Sequence, residues 1–153
     1  MARFNGAMEY GPRALGNRSI LYHATDPSVN DWLNKCLVRT EFMPFAPSTL
    51  IEEAEECFIG LEGGIDAARF MTMTFDCTEW MKENNPGVVH VDGTARPQLV
   101  SEEDNKSYYR IIKEYKKITG LGSIINTSFN MHEEPIVCTP QDAIRAFKLG
   151  HLD

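Results

Sequence analysis

Apolar residues recur every three or four positions in several segments of the chain, and this spacing predicts amphipathic helices. The segments are 26–38, 105–120 and 139–150, with a short acidic segment at 51–58. The clearest pattern is an apolar stripe of tyrosine and isoleucine that ends at Gly120, a residue that favours helix ends. Asp26 with Pro27, and Thr139 with Pro140, are typical of helix starts.

Alternating apolar and polar residues predict strands elsewhere. The alternation is clear over 67–78, and an apolar run leads into a polar loop over 123–130. Residues 87–101 predict two short extended pieces around a turn at Asp92-Gly93. Two prolines within 39–50 exclude a regular helix and predict an edge strand or extended loop. Because helices and strands interleave, the sequence predicts an α/β (α+β) domain with helices on a mixed sheet.

Composition narrows the class of protein. The 153 residues fit one domain, and a net charge of −7 argues against general nucleic-acid binding, which needs a basic face. No apolar run approaches the roughly 20 residues that span a bilayer, and no secretory signal is visible. Four cysteines and four histidines are scattered, so no metal site is predicted and free thiols in a cytoplasmic protein are expected.

Four polar stretches at the ends of predicted elements carry the candidate chemistry. They are "GPRALGNRS", "VRTEFMPFAPS", "HVDGTARPQ" and "NTSFN". They offer arginines together with hydroxyls and amides, which suit the binding of phosphate or carboxylate, and they contain no nucleophile paired with a base. Catalysis by positioning and charge stabilisation is therefore favoured. The alternatives are surface arginines in weak ion pairs, a structural Arg18, and turn-capping roles for Asn126, Ser128 and Asn130.

In this order and at this separation, the four stretches resemble the C-terminal domain of the O-carbamoyltransferase family, which includes nodulation-factor and antibiotic-tailoring carbamoyltransferases. The resemblance extends from Met8 to about Ile144. It implies a YrdC-like twisted mixed sheet beside an N-terminal Kae1-like domain. Residues 1–22 are then expected to be a junction segment from that domain, and residues 23–153 the YrdC-like domain.

The resemblance also implies a function. The YrdC-like domain is expected to use ATP, with Mg²⁺, and carbamoyl phosphate to make carbamoyl adenylate. The Kae1-like domain, which holds iron in this family, would pass the carbamoyl group to a hydroxyl of a small acceptor. Arg39 and Arg96 are the implied catalytic residues, and Arg13, Arg39, Arg96, Asn126 and Ser128 the implied substrate- and nucleotide-binding residues. This chain alone is expected to show little transferase activity.

Two positions depart from the family pattern. Leu37 stands where the family often has lysine, and Met43 where arginine is common. The loss of two cations motivates an alternative, in which the domain is a non-catalytic nucleotide- or anion-binding module. A further alternative is a structural role, in which the opening segment packs against a partner domain.

Overall fold

A five-stranded sheet forms the centre of the domain. The computed structural model describes residues 1–37 and 44–152, and within them the chain forms eight strands: β1 (Ala2–Phe4), β2 (Arg18–Tyr22), β3 (Ala46–Leu50), β4 (Phe58–Ile59), β5 (Phe75–Cys77), β6 (Thr94–Ala95), β7 (Gln98–Val100) and β8 (Ser123–Ser128). The central sheet has the order β1-β2-β8-β3-β7, and a smaller sheet has the order β4-β5-β6. Only β3 and β7 pair in parallel, so the central sheet is mixed, as predicted.

Six helices in the described part of the chain surround the sheets: α1 (Val29–Cys36), α2 (Ala54–Cys57), α3 (Ile65–Ala68), α4 (Glu79–Asn84), α5 (Lys106–Thr119) and α6 (Pro140–Leu149). Short 3-10 turns occupy Ile51–Glu53 and Pro86–Val88. None of the helices in residues 1–37 and 44–152 combines the length and apolar character that crossing a membrane requires.

The predicted helix ends are confirmed at α5 and α6. The side chain of Asn105 accepts a hydrogen bond from the backbone N–H of Tyr108, and α5 ends at Gly120, which has a φ of 81°. α6 begins with a capping box, in which Thr139 and Asp142 each accept a hydrogen bond from the other's backbone N–H.

Neighbouring residues of each central strand point to opposite faces of the sheet. Ile124 packs in a small cluster with Tyr108 and Ile112 of α5. Ile125, the next residue, belongs to a larger cluster that includes Leu33 of α1 and residues of the smaller sheet and α6. Both faces are therefore covered, which gives a layered α/β arrangement.

The structure corrects two predicted elements. The alternating segment 67–78 is not one strand, because it continues from α3 through a turn at Met71 (φ 56°) and becomes extended only at β5. The proline-containing strand β3 lies inside the sheet, not at its edge. Pro47 pairs with Ile125 of β8, but pairing with β7 on the other side of the strand begins only at Ser48. Proline is tolerated because no β7 residue lies opposite Pro47 to require its missing N–H.

The segment 1–22 contributes two strands to the central sheet, β1 and β2. β2 pairs with β8, and Met1 accepts and donates backbone hydrogen bonds with Leu21. The expected division into a junction segment and a main domain at residue 22 stays a prediction.

Candidate functional site

Residues from all four predicted polar stretches meet at a small cavity beside the end of β8. The cavity measures about 90 Å³ and is lined by Pro12, Arg13, Ala14, Pro44, Phe45, Ala46, Met71, Arg96, Asn126, Thr127 and Ser128. Four of the five predicted site residues, Arg13, Arg96, Asn126 and Ser128, are in this lining. The fifth, Arg39, lies outside the described residues, as does Met43.

The loop that presents Arg13 is closed at its base by Glu9. One carboxylate oxygen of Glu9, Oε1, accepts hydrogen bonds from the backbone N–H groups of Leu15 (2.8 Å), Asn17 (2.6 Å) and Arg18 (3.2 Å). Three donors on one ionised acceptor make a strong anchor. Sequence reasoning did not select Glu9, although an acidic residue just before the turn "YGPR" was the available signal.

Gly16 lets the same loop lie directly against α5. Its φ is 119°, and a Cβ atom there would lie 2.7 Å from Cγ of Tyr108, closer than real Cβ contacts allow. Any side chain at this position would push the loop away from the helix or bend its backbone. The glycine therefore helps to hold the loop over the sheet end.

A buried amide network fixes the loop to the sheet. Nδ2 of Asn126 is within hydrogen-bond distance of the Ala14 carbonyl (3.1 Å), Ser48 Oγ (3.0 Å) and Gln98 Oε1 (2.9 Å). Gln98 Nε2 donates to the Leu15 carbonyl at 2.8 Å. Asn126 is thus a structural link between three strands' ends and the loop as well as a lining residue.

The two arginines of the cavity repel each other. Arg96 is half-buried, and its pKa is lowered first by that burial and then by the positive charge of Arg13. Its Nε is buried without a hydrogen-bond partner, and no carboxylate among the described residues lines the cavity. Within residues 1–37 and 44–152, neither arginine forms an ion pair. Two uncompensated guanidinium groups on one cavity are suited to an anion.

Arg18, in contrast, is structural, which agrees with one of the alternatives drawn from the sequence. It is buried, and its guanidinium donates to the Asn5 and Gly6 carbonyls at 3.0 and 3.1 Å. It also stacks on the ring of Phe4 at 3.7 Å. Arg18 does not line the cavity.

Comparison with known proteins identifies the family. The family model described as "Carbamoyltransferase C-terminus" matches residues 1–153. The chain belongs to the carbamoyltransferase C-terminal domain family. This confirms the resemblance drawn from the four stretches.

The relatives of this carbamoyltransferase domain are much longer proteins. It is 47% identical to an uncharacterised protein of Methanocaldococcus jannaschii over 100% of this chain and 25% of that protein. It is 42% identical to nodulation protein NolO of Bradyrhizobium diazoefficiens, over 97% of this chain and 27% of that protein. It is 39% identical to nodulation protein U of Rhizobium tropici, over 97% and 24%. The chain spans about a quarter of the length of the curated relatives it matches.

The carbamoyltransferase domain has a second, more open cavity beside the first. It measures about 560 Å³ and shares Pro12, Arg13, Met71 and Arg96 with the small cavity. Its remaining lining is Tyr10, Leu15, Phe70 and Thr72, and Tyr10 and Phe70 have exposed rings. The arginine pair therefore stands between a small polar chamber and a larger, mostly apolar one.

Ser128 has a hydroxyl group that is already engaged. Its Oγ donates to Oδ1 of Asn130 at 2.6 Å, and Nδ2 of Asn130 donates to the Glu134 carbonyl at 2.7 Å. The turn interpretation of "NTSFN" therefore holds for Ser128 and Asn130, while Ser128 Oγ can still accept a hydrogen bond from a ligand.

Leu37 does not belong to the cavity. It is fully buried in the larger hydrophobic cluster. A charged lysine head would be costly in that apolar surrounding.

The described lining does not fit a magnesium ion held by the protein. Mg²⁺ prefers carboxylate, phosphate and water oxygens, and the described lining of either cavity supplies no carboxylate. Nowhere in residues 1–37 and 44–152 do three or more histidine, cysteine, aspartate or glutamate side chains gather as a metal site.

Proposed function

We propose that this domain binds carbamoyl phosphate and ATP and forms carbamoyl adenylate, which a second domain of the full-length protein uses to carbamoylate a hydroxyl group. The observation that carries the proposal is that Arg13 and Arg96 line one cavity, where residues 1–37 and 44–152 supply neither an ion-pair partner for them nor a carboxylate. A guanidinium group can bind two phosphoryl oxygens at once. The partial burial of Arg96 strengthens its attraction for an anion, whereas Arg13 is exposed.

The sizes of the two cavities support separate binding of the small transferred group and of the nucleotide. Pockets for drug-sized ligands measure about 300–1,000 Å³, so the small chamber of about 90 Å³ suits a group no larger than a carbamoyl or phosphoryl group. The open cavity of about 560 Å³ has room for a nucleotide. Because Arg13 and Arg96 line both, they can contact a phosphoryl group on either side.

The proposed reaction has two steps. Carbamoyl phosphate loses its phosphate to water and becomes carbamate. A carbamate oxygen then forms a bond to the α-phosphorus of ATP while the bond from that phosphorus to pyrophosphate breaks. Arg96 and Arg13 neutralise charge on the phosphoryl oxygens, and Asn126 and Ser128 orient the small group. Arg39 is proposed as a third catalytic cation.

Calorimetry on the full-length protein tests the binding step. Arg96→Ala should weaken binding of carbamoyl phosphate by about 10- to 150-fold, the usual cost of losing hydrogen bonds to a charged group. Arg145→Ala is the matched control, because Arg145 lies on the exposed face of α6, where it pairs with Glu134 of the preceding loop. Equal affinity in the wild-type protein and Arg96→Ala would rule out the assigned role.

A non-catalytic anion-binding domain is the second candidate. Leu37, which stands where the family often has lysine, is part of the hydrophobic core. A site with one cation fewer could bind phosphate without activating it. Carbamoyl-phosphate-dependent exchange of labelled pyrophosphate into ATP separates the candidates, because a binding module would show none.

A further inference from the structure

Two residues of the small cavity each have a buried polar atom, one a hydrogen-bond donor and the other an acceptor. Arg96 Nε is a donor and Asn126 Oδ1 is an acceptor, and neither has a hydrogen-bond partner in the described part of the chain. Asn126 is only 1% exposed. Buried polar groups are nearly always satisfied, so such a pair at a cavity indicates a ligand that supplies both an acceptor and a donor.

The orientation of the Asn126 amide follows from its neighbours. The Ala14 carbonyl can only accept a hydrogen bond. Ser48 Oγ gives its proton to Gln98 Oε1 at 2.6 Å, so toward Asn126 both of these oxygens act as acceptors. The Asn126 group facing these three oxygens must therefore be the NH₂ group. Oδ1 is left as the free end of the amide.

We propose that Asn126 Oδ1 accepts a hydrogen bond from the carbamoyl NH₂ group of carbamoyl phosphate and thereby makes this site select a carbamoyl over an acetyl group. The inference rests on the proposed function and adds the residue that recognises the carbamoyl group. Acetyl phosphate has nearly the same shape and the same phosphoryl oxygens, but a methyl group replaces the NH₂ group. A bound acetyl group would leave Oδ1 buried without a donor.

The expected discrimination follows from the cost of an unsatisfied buried acceptor. That cost corresponds to about 5- to 150-fold in affinity. The arginines contribute equally to both ligands, since they contact the shared phosphoryl group. The ratio of the two dissociation constants therefore isolates the contact at Oδ1 from the general affinity of the cavity for anions.

Competition binding with carbamoyl phosphate, acetyl phosphate and inorganic phosphate, on the full-length protein, tests the inference. The wild-type protein should prefer carbamoyl phosphate over acetyl phosphate by about 5- to 150-fold. Asn126→Ala should reduce this preference to nearly none. Asn126→Ser, whose side chain is too short to place an oxygen at the Oδ1 position, should do the same. Inorganic phosphate reports whether each variant keeps its anion site.

Ser48→Ala is the matched control. It removes one acceptor from the same network but leaves Oδ1 in place. It should weaken both acyl phosphates alike and keep their ratio.

The outcomes separate the inference from the proposed function. Equal binding of carbamoyl and acetyl phosphate by the wild-type protein would overturn the inference and leave the proposed function standing. A preference for carbamoyl phosphate that persists in both Asn126 variants would also overturn it, because another group would then bind the NH₂. Binding of neither acyl phosphate would overturn the proposed function and the inference with it.

Discussion

Replacing Glu9 with alanine should release the loop that carries Arg13. Oε1 of Glu9 is the acceptor for the backbone N–H groups of Leu15, Asn17 and Arg18. A buried N–H without an acceptor costs about 1–3 kcal/mol. The three bonds share one oxygen and the loop is only partly buried, so water can replace some of them. We expect a total of about 2–4 kcal/mol for local opening of the loop.

Hydrogen exchange is the direct assay for this change. Since 1.4 kcal/mol corresponds to a factor of ten, the amides of Leu15 and Asn17 should exchange about 30- to 700-fold faster in Glu9→Ala. Phosphate affinity should fall by about 3- to 10-fold, because Arg13 is less preorganised. Glu114→Ala, on the exposed face of α5, is the control. Unchanged exchange at Leu15 and Asn17 would refute the role given to Glu9.

Three further outcomes follow from the fold. Gly16→Ala should lower the free energy of unfolding by about 2–4 kcal/mol, because its Cβ would meet the Tyr108 ring, whereas Gly11→Ala, with positive φ but open space, should cost less; urea unfolding compares them. The pKa of Asp142 is lowered, first by the backbone N–H of Thr139. Stability from this group is therefore present above about pH 4 and lost as pH falls further, so Asp142→Asn should flatten the acid side of a pH–stability curve. The chain produced alone should not carbamoylate an acceptor hydroxyl, and product detection by mass spectrometry would show otherwise.

Local signals in the sequence were sufficient to predict the long helices. α5 and α6 have apolar stripes and capping residues within the same segment, so the pattern and the ends agree. The prediction of one strand over 67–78 was wrong, because the alternation of apolar and polar residues there arises from a turn. Met71 is buried while Phe70 and Met73 are exposed, and the left-handed backbone at Met71 produces this order without a strand.

The site was accessible to sequence reasoning only in part. The residue types of the arginine-containing stretches indicated an anion site, and four of the five selected residues line one cavity. The supporting contacts were not accessible, because they join distant parts of the chain. Asn126 reaches Ala14 across 112 positions, and Gln98 reaches Leu15 across 83. Such pairings depend on strand order, which no local pattern encodes.

A crystal structure of the full-length protein with carbamoyl phosphate tests the central claim most directly. We expect the phosphoryl oxygens within hydrogen-bond distance of the Arg13 and Arg96 guanidinium groups, in the chamber at the end of β8. Carbamoyl phosphate bound at a site that includes neither arginine would contradict the account.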